Sequence, residues 1–187
     1  MPVLVLNREL IPTPVGVIVL LTDARGRIRA LDWDDYEPRM QRLLRLHYGV
    51  GGVTLSNGGG ASAARKALEA YFAGDLTALD SLEVETAGTP FQRTVWAALR
   101  RIPAGETLSY GALAAAIGKP AAVRAVGLAN GANPIGVVVP CHRVIGANGA
   151  LTGYGGGLPR KRWLLEHEGA LKDLSQREGP RAKRMGG

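Results

Sequence analysis

Two short helices joined by a tight turn are predicted within residues 109–130, which read SYGALAAAIGKPAAVRAVGLAN. Ser109 suits a helix N-cap, and Leu113 and Ile117 give the first helix an apolar side. The turn falls at residues 118–120, and a second helix follows to residue 130. The pair forms a helix-turn-helix pattern, although any compact helical hairpin produces the same signal.

The distribution of charged residues along the chain points to a polyanionic partner. The net charge of the 187 residues is +7, with residues 1–88 at −2, residues 89–170 at +6 and residues 171–187 at +3. An excess of basic residues on one part of a chain favours nucleic-acid binding, and the alternative is an ordinary solvated basic surface. The basic residues 171–187 lose periodicity, and we expect them to be a disordered tail.

The rest of residues 89–170 is also predicted to be mainly helical. Thr89 followed by Pro90 is typical of a helix start, and the apolar stripe runs to Ile102. A final helix is predicted at residues 159–168. Between them, residues 153–157 read GYGGG; no Gly-Lys-Ser/Thr follows, so close approach of a flat ligand is favoured over phosphate binding.

The first half, residues 1–88, is predicted to be a small α/β domain with a structural role. Residues 15–21 and 27–31 form a hairpin, and residues 38–48 and 61–73 form two helices. Residues 51–60 are predicted to be a loop, and no candidate catalytic group stands out in this half. The fold class is therefore α+β, with this domain preceding the helical one.

Composition excludes several classes of protein. Cys141 is the one cysteine, so a disulfide within the chain is impossible and a cysteine-rich zinc site is excluded. The three histidines share no ligand spacing, and we expect no metal. The longest early apolar run, residues 15–21, is too short for a membrane span, and residues 1–10 lack the features of a signal peptide. We expect a cytoplasmic protein without a membrane partner.

Cys141 is the candidate nucleophile. It follows an apolar run and precedes a glycine-rich loop, with His142 and Arg143 beside it. A neighbouring base or cation favours the thiolate, whereas an ordinary buried cysteine is inert. In an extended chain His142 would point away, so a helical turn or a bridging water is needed. The groups that could orient the imidazole are Glu106, His167 and Glu168, and spacing does not choose among them.

Residues 140–145, PCHRVI, resemble the active-site signature of the O6-alkylguanine-DNA alkyltransferases. The resemblance covers residues 91–169 and includes, in the family's order, FQRTVW at 91–96, IPAGET at 102–107, Ser109-Tyr110, RAVG at 124–127, Asn133-Pro134 and LLEHEG at 164–169. The first half is only loosely similar, which implies the variable RNase H-like α/β domain of that family.

The resemblance implies a role for each matching residue. Cys141 would accept the alkyl group, His142 would act as base through a water, and Glu168 would orient His142. Asn133 would brace the turn beside the site, and Tyr110 would donate a hydrogen bond to the guanine ring and contact the target phosphate.

The resemblance also assigns DNA and base contacts. Arg124 would fill the gap left by the extruded base, and Tyr154 would cover that base while backbone groups of Val144 and Gly155 read its edges. The implied DNA contacts are Ser109, Tyr110 and Arg124. Some relatives carry proline at the position of Gly136 or a side chain at that of Gly155, which puts the shape of the pocket in question.

The implied activity is single-turnover repair of double-stranded DNA. The alkyl group of O6-alkylguanine, with O4-alkylthymine as a second candidate, would pass irreversibly to Cys141 of a monomer. No cofactor is expected, because the damaged base is itself the alkyl donor. The main alternative is a helix-turn-helix protein that binds lesions and carries a structural or redox-active cysteine. A thiol hydrolase has less support, since nothing indicates a peptide cleft.

Overall fold

The computed structural model describes residues 2–171, which form six helices and six strands. The strands are β1 (Leu4–Thr13), β2 (Gly16–Thr22), β3 (Ile28–Trp33), β4 (Val53–Ser56), β5 (Leu108–Ser109) and β6 (Val144–Ile145). The helices are α1 (Glu37–Tyr48), α2 (Ala63–Phe72), α3 (Pro90–Leu99), α4 (Tyr110–Ala116), α5 (Val123–Gly131) and α6 (Leu158–His167). The tail predicted for residues 171–187 lies, apart from Leu171, outside the described residues.

A four-stranded sheet organises the first half, in the order β3-β2-β1-β4. The predicted hairpin is confirmed as the antiparallel pair β2–β3, whereas β4 runs parallel to β1. Helix α1 buries Met40 and Leu44 against one face of the sheet, and α2 buries Leu68 against the opposite face. Strand β2 is therefore covered on both faces, and Ile18 and Leu21 are fully buried.

One prediction for the first half is wrong, and one strand was missed. Residues 51–60 contain β4, and the strand β1 was not predicted at all. Strand β4 is only four residues long and leaves Thr54, Leu55 and Ser56 exposed at the sheet edge, so its brief apolar–polar alternation is too short to predict a strand. Strand β1 carries Pro12 within it, which argues against a strand until pairing with β2 is known.

The second half packs α5 against both α3 and α4. The indole Nε1 of Trp96 on α3 donates to the carbonyl of Ala129 on α5 at 2.8 Å, which fixes this packing. The predicted helices are present, although α5 begins at Val123 because residues 119–122 form a turn. The two halves share one core: Leu31 of β3 donates to the carbonyl of Pro134 and accepts from the N–H of Gly136.

Helix length bears on membrane insertion. The longest helix in residues 2–171 has 12 residues, and none of the described helices has the length and apolarity to cross a bilayer.

The N-terminus of α3 gives a test of the fold. Thr89 accepts from the N–H of Gln92 at 3.1 Å, and the Gln92 side chain accepts from the N–H of Thr89 at 3.0 Å, which is a capping box. Thr89→Ala should lower the free energy of unfolding by about 1 kcal/mol, measured by urea denaturation. The control is Thr94→Ala on the same helix, where alanine suits the helix interior. An equal loss in both variants would contradict the capping role.

Candidate active site

Two tight turns lead the chain to Cys141, which is 7% exposed. Val137 has a φ of +67°, and the N–H of Val138 donates across it to the carbonyl of Gly136 at 2.7 Å. This is a γ-turn of the rare, strained kind, and a β-branched residue at its centre is a genuine outlier. A second short turn closes when the N–H of Cys141 donates to the Val139 carbonyl at 2.8 Å.

Asn133 holds these turns in place. It is 1% exposed; its Nδ2 donates to the carbonyl of Val139 at 2.8 Å, and its Oδ1 accepts from the N–H of Ile135 at 3.0 Å. Both ends of the side-chain amide are thereby bonded to the segment before Cys141. Such surrounding bonds are what allows a strained backbone to persist.

Residues 141–143 form a single 3₁₀ turn, and this turn directs His142 inward. The fully buried Nε2 of His142 lies 2.7 Å from Oε1 of Glu168, so the geometry selects Glu168 from the three candidate orienting groups. Arg143 donates to both oxygens of Glu168, each at 2.9 Å. The hydroxyl of Tyr71 on α2 donates to Oε1 at 2.7 Å.

The protonation states follow from these contacts. Burial alone would raise the pKa of Glu168, but the His142 and Arg143 contacts outweigh it and hold that pKa well below its usual range. An ionised carboxylate only accepts hydrogen bonds, so Nε2 of His142 carries the proton. Burial lowers the pKa of His142 despite Glu168, which keeps the imidazole neutral near pH 7. Its Nδ1 is buried without a protein partner and is free to accept a proton.

The thiol itself is held in its protonated form. Burial raises the pKa of Cys141, and the nearby Asn133, Arg39 and Lys161 oppose that shift only in part. Lys161 is fully buried and donates to the carbonyls of Val144 at 2.6 Å and Thr152 at 2.9 Å. Its burial lowers its pKa to about 8, against the influence of Cys141.

An open pocket of about 470 Å³ adjoins the thiol. Its walls include Cys141, Tyr110, Asn130, Tyr154 and Gly155. Aromatic walls with a few polar groups are typical of a small-molecule site. A second pocket of about 520 Å³, between α1 and β4, is lined by no cysteine or histidine. Within residues 2–171 no group of three His, Cys, Asp or Glu side chains has the arrangement of a metal site.

The remaining sequence-predicted residues occupy varied positions. Ser109 caps α4 by accepting from the N–H of Ala112 at 3.0 Å, and the Tyr110 hydroxyl donates to the carbonyl of Thr152 at 3.1 Å. Arg124 is exposed on α5. The Tyr154 hydroxyl is buried without a partner, and the Val144 carbonyl is already bonded to Lys161.

The first half contributes two groups that sequence reasoning missed, Tyr71 and Arg39. Arg39 pairs with Asp32 at 2.8 Å and donates to the carbonyls of Gly131 at 2.9 Å and Asn133 at 3.2 Å. Tyr71 falls within the helix predicted at residues 61–73, and no role in the site was predicted for it. One signal was available for it, because a buried tyrosine hydroxyl usually finds a polar partner. No such signal exists for Arg39.

The fold and the site define a class of protein: a cysteine-dependent group-transfer protein with a basic helical half. The family described as "6-O-methylguanine DNA methyltransferase, DNA binding domain" matches residues 90–170. A methylated-DNA–protein-cysteine methyltransferase from Salmonella typhimurium is 55% identical over 169 residues, which span 89% of this chain and 97% of that protein. The protein of the same name from Mycobacterium tuberculosis is 63% identical over 110 residues, 59% of this chain and 66% of that protein.

Solved structures agree with these relatives. M. tuberculosis OGT in complex with DNA superposes with a TM-score of 0.73 at 44% identity, covering 88% of this chain and 93% of that chain. The O6-methylguanine-DNA methyltransferase of Pyrococcus kodakaraensis gives 0.63 at 27% identity, covering 88% and 99%. The chain belongs to the methylated-DNA–protein-cysteine methyltransferase family.

The buried carboxylate predicts a pH dependence of stability. A carboxylate whose pKa is lower in the folded state than its unfolded value of about 4.3 stabilises the fold above that pH, and the contribution is lost as the pH falls. Glu168→Gln should lower the free energy of unfolding at neutral pH by about 3–5 kcal/mol, because Arg143 loses its buried counter-charge. The variant should also lose less stability than the wild type on acidification, measured by urea unfolding.

The matched control is Glu69→Gln, which removes an exposed carboxylate paired with Arg65. We expect a change of about 0.5 kcal/mol or less. The same loss on acidification in the wild type and in Glu168→Gln would refute the role of Glu168.

Proposed function

We propose that this protein repairs O6-alkylguanine in double-stranded DNA by irreversible transfer of the alkyl group to Cys141. The observation that carries the proposal is the Cys141 thiol on an open pocket, next in the chain to His142, which is bonded to Glu168. O4-alkylthymine is a second candidate substrate. Family membership supports the same reaction.

The chemistry is a displacement at saturated carbon. The sulfur of Cys141 forms a bond to the alkyl carbon as the bond from that carbon to guanine O6 breaks, and the electron pair stays on the guanine. The thiol proton passes through a water to Nδ1 of His142, whose free lone pair faces no protein donor. Glu168 stabilises the resulting imidazolium. The product thioether has no route back to a thiol, so each molecule acts once.

Because burial keeps the thiol protonated at rest, the base must act when the substrate is bound. Tyr110 at the pocket wall donates a hydrogen bond to the guanine ring as negative charge develops there. Tyr154 covers the base, and backbone groups of Gly155 and Val144 contact its edges. Asn133 keeps the acceptor turn in its strained shape. No cofactor takes part, because the base donates the group.

The DNA contacts are assigned to α4 and α5, which we interpret as a helix-turn-helix. The base must leave the duplex to reach a thiol that is only 7% exposed. Helix α5 offers an exposed cation, Arg124, to fill the gap, and the apolar side chains of Val123 and Leu128 are exposed on the same helix. Ser109 and Tyr110 lie at the start of α4 and complete the contact.

The proposal also covers the division into domains, the oligomeric state and the cellular location. Residues 1–88 form the first domain, whose strand order and parallel β1–β4 pair are consistent with an RNase H-like topology. Residues 89–170 form the DNA-binding and acceptor domain. One thiol and one pocket suffice for one lesion, so we propose a monomer. A thiol that must stay reduced until used is suited to the cytoplasm.

Mass spectrometry tests the reaction directly. Incubation with a duplex containing one O6-methylguanine should add one methyl group per protein molecule, located on the Cys141 peptide. Cys141→Ala should bind the duplex and gain no mass. An unchanged wild-type mass despite tight binding would leave the alternative, a lesion-binding protein with a silent thiol.

A charge-removal variant tests the DNA contact. Arg124→Ala should slow transfer from duplex DNA by about tenfold or more, since the extruded base loses its replacement in the stack. Its rate with the free base O6-benzylguanine should stay at the wild-type value, because the chemistry is untouched. Arg162→Ala removes an exposed charge from α6 and serves as the control. Equal slowing with DNA and with free base would place Arg124 in the pocket instead.

A further inference from the structure

Tyr71 brings the first half of the chain into the acceptor site. It is fully buried on α2, and its hydroxyl lies 2.7 Å from Oε1 of Glu168. The same oxygen lies 2.7 Å from Nε2 of His142. His167 holds the tyrosine in place, with its Nε2 2.7 Å from the Tyr71 carbonyl and its ring edge-on to the Tyr71 ring at 5.1 Å.

Because Tyr71 and His142 share Oε1 of Glu168, Tyr71 affects how readily His142 is protonated. The positive end of the Tyr71 hydroxyl dipole points toward the Glu168 carboxylate, to which His142 is also hydrogen-bonded. The bond from Tyr71 is stronger while His142 is neutral, because the charge of Glu168 is then less compensated. The hydroxyl therefore stabilises the neutral imidazole more than the imidazolium.

We propose that Tyr71 is a positioning residue for alkyl transfer: by holding Glu168 Oε1, it limits how strongly that carboxylate draws a proton onto His142. The inference rests on the proposed function, since it assigns a regulator of the same proton transfer. Without the Tyr71 hydroxyl, the negative charge of Glu168 would stabilise the protonated imidazole of His142 more strongly. His142 would then be protonated at a higher pH, and less of it would be available as the base.

The groups that face the pair include a second histidine, His167, which contacts the carbonyl and the ring of Tyr71. Those that act on His142 are Glu168, Arg143 and Lys161, and those that act on Tyr71 are Glu168, Arg143 and Tyr154. Arginine remains charged throughout the accessible range. The pKa of Lys161 lies at about 8, so its titration falls on the alkaline side. The acid limb of the rate profile is therefore assigned to His142 only where the NMR midpoint of His142 itself moves with it.

The decisive variant is Tyr71→Phe, which removes only the hydroxyl. The single-turnover rate of transfer from an O6-methylguanine duplex is measured against pH. We expect the acid limb to move upward by about one pH unit. The chain has only three histidines, so the protonation of His142 can be followed by NMR of ¹⁵N-histidine-labelled protein, and its midpoint should move by the same amount.

Tyr48→Phe is the matched control. Tyr48 packs against the buried cluster between α1 and the sheet, which contains Met40 and Leu44 but not Cys141. The buried hydroxyl of Tyr48 has no protein partner. Its pH profile should match that of the wild type. A lower melting temperature in Tyr71→Phe with an unmoved acid limb and His142 midpoint would overturn the proposal and make Tyr71 purely structural.

A second substitution covers the case in which Tyr71→Phe does not fold. Replacing Tyr71 by 3-fluorotyrosine makes the hydroxyl a stronger donor with little change of shape, and the acid limb should move to lower pH. Movement in the other direction, or none, would count against the proposal. Should the wild type transfer no methyl group, the NMR midpoints would still decide whether Tyr71 acts on His142, independently of the repair function.

Discussion

The carboxylate of Glu168 is the point on which the acceptor site depends. It lies just beyond α6 and accepts hydrogen bonds from His142 and Arg143 of the 3₁₀ turn and from Tyr71 of α2. Three separate parts of the chain therefore meet at two oxygen atoms. Because a buried carboxylate is tolerable only when its hydrogen bonds are satisfied, the positions of these parts are fixed together.

This arrangement links the electrostatics to the chemistry. An ionised Glu168 fixes the tautomer of His142, and in the proposed reaction this leaves Nδ1 to accept the thiol proton. The same burial that makes His142 neutral also keeps the Cys141 thiol protonated. The resting site is therefore uncharged at both groups, and in the proposed reaction the proton moves only when a lesion occupies the pocket. Such a design protects a thiol that can be used once from adventitious reaction.

Local patterns predicted part of this molecule well. The hairpin of β2 and β3, the start of α3 and the candidate nucleophile Cys141 were all visible in the sequence, because each depends on neighbouring residues. The strand β4 was not, since its stability comes from parallel pairing with a distant segment. Contacts between distant segments also explain why spacing alone left Glu106, His167 and Glu168 as equal candidates, and why Tyr71 was not among the predicted site residues.

The wall of the pocket shows how far the two halves depend on each other. A side chain at Gly155 would place its Cβ 2.7 Å from Cζ of Arg39. Arginine side chains usually move aside easily, but this one is tied to Asp32 and to the carbonyl of Gly131. The glycine thus leaves room for a cation from α1. That cation also lowers the pKa of Cys141, opposing the larger effect of burial, so the first half shapes both the wall and the charge of the site. A division into a structural half and a reactive half does not describe this protein.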